Sequence, residues 1–297
     1  TNYERYNIRM QPGIEKARGT PEWYTQVYKT DAALGTQWNA VSQTYGRYPD
    51  RFSLAGSVSY VTGTHNVKVG IQDTFGRYRR TDGSNGDIRA TFINGVATTA
   101  QVLNSPVERF DLLHADVGFF AQDSWTLNRL TVNYGARIEH FSSGIPLETA
   151  PAGRFTAART FGPIEMPTWN SVAPRGGLVY DLFGNQKTAL KFSVGKYMQA
   201  GSTGFSETYN PLQLTSASVS WTDLNKDGIP QGELGCVYLS AGCEINLAQL
   251  TNGFAWAILP NFEPASTRSV NVPPAARPPH RPPPGIPVSG GRLHHPP

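Results

Sequence analysis

The sequence predicts an all-β chain, an antiparallel transmembrane β-barrel in which short turns alternate with long loops. Three observations carry that prediction. The first lies in residues 119–141, FFAQDSWTLNRLTVNYGARIEHF. There Leu130, Val132, Tyr134, Ala136 and Ile138 share one parity, while Arg129, Thr131, Asn133, Gly135, Arg137 and Glu139 share the other. Successive strand side chains point to opposite faces, so this segment has one apolar and one polar wall. The second is the spacing of such segments, three tight hairpins separated by long connections. Ordinary domains join strands by about 4 to 6 residues, and connections beyond about 12 to 15 are uncommon. Outer-membrane barrels combine the two lengths routinely. The third is composition. Apolar residues are 39% and charged residues 16% of 297. With mean hydropathy at -0.37, no run approaches the roughly 20 apolar residues of a spanning helix. That leaves strands as the way across a membrane, and 13 Tyr, 14 Phe and 6 Trp suit strands and interfacial girdles.

Taken in order, residues 1–50 show little period and read as a long ordered loop. RFSLAGSVSYV then alternates, with Phe52, Leu54, Val58 and Tyr60 against Ser53, Ala55, Ser57 and Ser59. The turn TGTHN leads to VKVGIQDTFGRY, where Val67, Val69, Ile71 and Phe75 oppose Lys68, Gly70, Gln72 and Thr74. Residues 79 to about 110 form a polar connection with room for strand extensions. A strand over roughly 111–126, a turn at Leu127, Asn128 and Arg129, and the strand already described make the second hairpin. Residues 143–169, rich in Pro, Ala and Gly, form another connection. The third hairpin is GGLVYDLF, a turn at Gly184, Asn185 and Gln186, and KTALKFSVGKYM, followed by a further long connection.

RYPDRFSLAGSVSYVTGTHNVKVGIQDTFGRYRR, FFAQDSWTLNRLTVNYGARIEHF, APAGRFTAARTF and LVYDLFGNQKTALKFSVGKYMQA resemble the barrel of TonB-dependent outer-membrane receptors. The nearest flavour is the Oar-like group, whose members often carry a carboxypeptidase-regulatory-like domain. The resemblance implies a barrel of about 22 strands, of which this chain carries a part, plugged by an N-terminal domain. It also implies a TonB box that couples import to inner-membrane energy, hence the TonB complex as partner through an N-terminal part missing here. An extracellular small-molecule or oligomer ligand, and the lipid and lipopolysaccharide of the outer membrane, are the other implied partners. Ferric siderophore, cobalamin, oligosaccharide and peptide all remain open as ligand. The rival readings are a passive porin or adhesin barrel and a secreted carbohydrate-binding β-sandwich.

On this reading residues 1–264 are partial barrel and residues 265–297 a Pro-rich tail, disordered or the product of a frameshift. Its proline density excludes a barrel strand. The opening TNYERYNIRM has no initiator methionine, so a fragment or processed product is expected.

Two motifs hold candidate chemistry. DLNKDGIPQGE, residues 223–233, places oxygens at positions 1, 3 and 5 of a calcium loop (Asp223, Asn225, Asp227) and Gly228 at the sixth. Glu233 falls one short of the usual twelfth position, and an Asx-rich turn without an ion is the plain alternative. A structural calcium there would stiffen a loop. Cys236 and Cys243, the only cysteines, are expected to form a disulfide, since an even count in an exported β protein favours a bridge.

Catalysis is not expected. GxSxG, HExxH and a Walker loop are all absent, and His65, His114 and His140 fall on separate elements. Asp123, Arg137, Glu139 and Lys191 are expected on the lumen wall, and Trp125, Tyr134 and Tyr197 in a girdle. A net charge of +4 spread along the chain gives nucleic acid no support.

Overall fold

A computed structural model describes residues 2–5, 7–9, 15–198 and 201–250. The Pro-rich tail expected from Ala265 lies outside the described residues. In order the strands are β1 (Asn2–Arg5), β2 (Ile8–Arg9), β3 (Tyr28–Asp31), β4 (Thr36–Trp38), β5 (Thr44–Thr62), β6 (His65–Gly83), β7 (Ile88–Ile93) and β8 (Val96–Leu103). They continue with β9 (Val107–Leu127), β10 (Leu130–Ile145), β11 (Glu148–Ala150), β12 (Arg159–Phe161), β13 (Ile164–Glu165), β14 (Trp169–Asp181), β15 (Ala189–Gly195) and β16 (Ser216–Ser220). Two short helices, α1 (Pro21–Thr25) and α2 (Gly204–Tyr209), interrupt them.

The main sheet runs β1-β5-β6-β9-β10-β14-β15, with β2 beside β5 and β13 beside β10. All of its pairings are antiparallel. The three expected hairpins are its frame, β5–β6, β9–β10 and β14–β15. Each tight turn rests on a left-handed residue: Gly63 (φ 54°), Asn128 (φ 50°) and Gly184 (φ 72°). The strands are longer than their alternation shows. β5 and β6 have 19 residues each and β9 has 21, about twice the 9 to 11 that cross a bilayer.

Burial on this sheet is inverted relative to a soluble domain. The apolar parity of β10 is the open one: Tyr134 is 49% and Ile138 58% exposed. Phe119 opposite Ile138 is 55% exposed. The same face carries Leu54, Val58 and Tyr60 of β5, Val69 and Ile71 of β6, and Leu190, Phe192 and Val194 of β15, all exposed. Arg137 and Glu139, on the polar parity, are only 19% and 20% exposed at their side chains. Among the described residues no core covers the apolar wall, as a two-sheet sandwich would require.

The long connections are not loops. They fold into a second sheet, β16-β8-β7-β3-β4, and a small β11–β12 ribbon. The β3–β7 pair is parallel, an exception to the wholly antiparallel expectation. The second sheet has a conventional core of Val27, Ile88, Ala90, Phe92, Ala100, Val102, Phe155, Val219, Trp221 and Ile245. Those residues come from four separate connections, so the excursions form one cap at the end of the main sheet opposite the tight turns. Asp31 pins two of its turns together, its carboxylate accepting from the backbone N–H groups of Ala33, Leu34, Asn94 and Gly95.

Candidate functional site

The polar wall of the main sheet forms a trough of about 1080 Å³ whose lining includes Lys68, Asp116, Arg137, Glu139, Arg175 and Lys191. Period-two alternation places these groups on one side of adjacent strands. Arg137 Nε donates to Glu139 Oε1 at 2.5 Å. The Arg137 guanidinium lies across Gly118 of the neighbouring strand, where a Cβ would collide with its Nη2. Glycine there leaves room for a charged group to lie flat on the wall. Arg137, Glu139 and Lys191 thus stand on the wall as expected.

Asp123 does not. It pairs with Tyr134 and with Val67, on the parity of the exposed Phe119. The outward carboxylate, near the tight turns, is satisfied by His65 Nδ1 (2.6 Å), the Tyr134 hydroxyl (2.9 Å) and the Asn66 N–H (3.1 Å). Trp125 stacks on His65 beside it, so Trp125 and Tyr134 share the apolar face next to the tight turns, where an interfacial girdle belongs. Tyr197 turns to the trough instead, beneath the Arg175 guanidinium.

Above the trough the face switches. Between Ser142 and Ser143, and again between Gln72 and Gly76, the pairing with β9 slips by one residue. An extra residue in β9 reverses its parity beyond the bulge. Arg109, Asp111 and Leu113 are buried there. The mouth holds a charge network: Asp82 accepts from Arg47 Nη2 (2.9 Å), Arg80 Nε (2.9 Å) and Gln43 Nε2 (2.6 Å). A second hollow, of about 670 Å³, opens between cap and wall, lined by Tyr28, Gln37, Gln43, Tyr45, Arg47 and Arg80. Arginine, amide and tyrosine side chains there offer donors and an aromatic face to a polar ligand.

A family model described as TonB dependent receptor-like, beta-barrel, matches residues 3–272. The chain belongs to that family. Neither a curated protein nor a solved structure matches it. The family is one of outer-membrane transporters rather than enzymes. Outer-membrane barrels carry tight turns on the periplasmic side and long connections outside the cell, and this receptor likewise has its tight turns at one end of the main sheet and its cap at the other.

Within that cap the predicted calcium loop is only partly assembled. Asp223 and Asp227 converge with Glu244, their carboxylate oxygens lying within 4.8 Å of one another. Asn225 Nδ2 donates to Asp227 Oδ2 at 2.9 Å. Glu233 is elsewhere, its Oε1 accepting from Arg154 Nε at 2.9 Å. The third carboxylate therefore comes from a residue with no place in the linear motif. Glu244 is 1% exposed and accepts from the backbone N–H groups of Leu224 and Asn225 and from Trp221 Nε1. Asp223 Oδ1 is buried without a hydrogen-bond partner. The Lys29 ammonium lies close to Gly228 of this loop; burial lowers its pKa, opposed by Asp227 and Asp223. Cys236 and Cys243 are bonded to each other, Cα atoms 5.9 Å apart, closing the hairpin that delivers Glu244.

Proposed function

We propose that the receptor binds one specific ligand at its extracellular mouth and imports it along the polar wall, driven by the TonB complex. The observation that carries this is the inverted burial of the main sheet: an uncovered apolar face for lipid and a charged trough for a polar solute. Outer-membrane lipid and lipopolysaccharide are the natural neighbours of the apolar face. The Oar-like subgroup is proposed on the residue stretches quoted above. A structural calcium is proposed at Asp223, Asp227 and Glu244, where three carboxylates converge and Asp223 Oδ1 is buried without a partner.

Uptake is the test. Cells making the intact receptor, with and without functional TonB, are offered labelled ferric siderophore, cobalamin, oligosaccharide and peptide in turn. Accumulation of one class that stops without TonB is the expected result. Accumulation indifferent to TonB would mean a passive porin, and surface binding without uptake an adhesin.

A further inference from the structure

Where the cap meets the mouth, too few hydrogen-bond donors surround two buried carboxylates. Asp111 and Glu148 are 0% and 1% exposed. Both accept from the same group, Asn210 Nδ2, at 3.1 and 3.2 Å. That nitrogen also lies 3.1 Å from the Phe110 carbonyl, so two amide hydrogens serve three acceptors. Glu148 Oε1 takes one more donor, the Phe110 N–H at 2.6 Å, and Asp111 Oδ2 is buried with none. Leaving a buried carboxylate oxygen unpaired is costly, and a proton on one of the two acids removes that acid's buried charge.

We propose that Asp111 and Glu148, bridged by Asn210 Nδ2, form a pH-operated latch that seats residues 204–213 of the cap on the barrel mouth when one of the two acids is protonated. Asn210 closes that segment onto β9, and its Oδ1 accepts the N–H of the fully buried Leu212. Arg109 Nη1 holds the Glu207 carbonyl at 3.2 Å. Asn104 Nδ2 donates to the Gln213 carbonyl and Trp169 packs on Phe205, so releasing Asn210 removes the central tie of the segment and loosens it rather than detaching it.

The charged groups that act on the pair lie on four elements. From β9 comes Arg109; from β6, Arg80 and Asp82; from β5, Arg47 through Asp82; from α2, Glu207. Arg80 and Arg47 are engaged by Asp82. Arg109 tempers the effect on both acids without cancelling it: burial pushes the Asp111 carboxyl up to about 6 and the Glu148 carboxyl up to about 7. Both lie outside the membrane, since Asp111 sits opposite Tyr78, and Tyr78 opposite Pro49, beyond the Phe52–Phe75 rung of the apolar band.

The sign follows. An acid whose pKa is raised in the seated state binds its proton more tightly there, so seating takes up a proton and weakens as pH rises. For Glu148 the window runs from its ordinary 4.5 to about 7, and the latch constant falls by up to about tenfold per pH unit within it. Acid closes the latch and neutral pH loosens it.

The measurement is hydrogen-exchange protection of residues 204–213 in the intact receptor in outer-membrane vesicles, at about pH 5 and about pH 8. Wild-type protection is expected to fall at least about tenfold between them, while Glu148→Gln, which keeps the shape without the charge, stays protected at both. Asp111→Asn is expected to flatten the profile in the same way. Equal protection at the two pH values in wild type, or a Glu148→Gln profile as steep as wild type, would overturn the latch. The wild-type profile decides alone if neither variant assembles, and none of these results depends on the transported ligand.

Discussion

At the scale of single residues, charge placement divides into what alternation reveals and what only the folded chain reveals. Arg137 and Glu139 are readable as wall residues because their strand alternates without interruption. Asp123 is not: a carboxylate on an apolar face defies the pattern, and only His65, Tyr134 and the Asn66 N–H explain why it is tolerated. The acidic loop gives the same lesson. A linear motif directs attention to Glu233, but Arg154 holds that side chain and a disulfide-closed hairpin brings Glu244 in its place. The two assignments make opposite predictions. Calcium is expected to raise the thermal stability of the cap, by about 2.7 kcal/mol at about 100 times its Kd. Glu244→Gln should abolish the rise, and Glu233→Gln should leave it. A rise that survives Glu244→Gln, or none in wild type, removes the ion from this site.

At the scale of elements, the three hairpins were legible because each combines a turn residue suited to positive φ with uninterrupted apolar alternation. Their true lengths were not. Beyond the bulge in β9 the parity reverses, so Arg109, Asp111 and Leu113 point inward on odd numbers where Phe120 and Gln122 do so on even ones. No period-two scan follows a strand through such a slip. The cap was equally hidden, because its core draws single residues from four distant connections and each connection looks polar alone. The apolar face of the hairpins carries its own prediction. Ile138→Lys replaces an exposed side chain and would cost almost nothing in a soluble protein. Facing lipid near the bilayer midplane it is expected to cost about 2–4 kcal/mol, read as a lowered denaturation midpoint of the receptor in liposomes. An unchanged midpoint would place Ile138 in water.

At the scale of the whole molecule, two opposite burial rules operate in one chain. The cap buries its apolar side chains and presents polar ones to water. The main sheet exposes its apolar side chains and gathers charge into a trough, as a wall between lipid and lumen does. The cap sits over that trough, held through Asn210, Arg109 and the Arg80–Glu207 ion pair at the mouth. On the proposed function, recognition outside the cell and passage along the wall would be joined in one piece of structure.

The most direct test is the environment of successive side chains along β10. Single nitroxide labels at positions 133 to 138 of the intact receptor in liposomes would be probed with oxygen, which favours lipid, and with a nickel complex confined to water. Labels replacing Tyr134, Ala136 and Ile138 should favour oxygen, and those replacing Asn133, Gly135 and Arg137 the nickel complex, with a period of two. Water access at every position, or shielding of the apolar set from both probes, would contradict a membrane wall and return the sheet to a soluble fold.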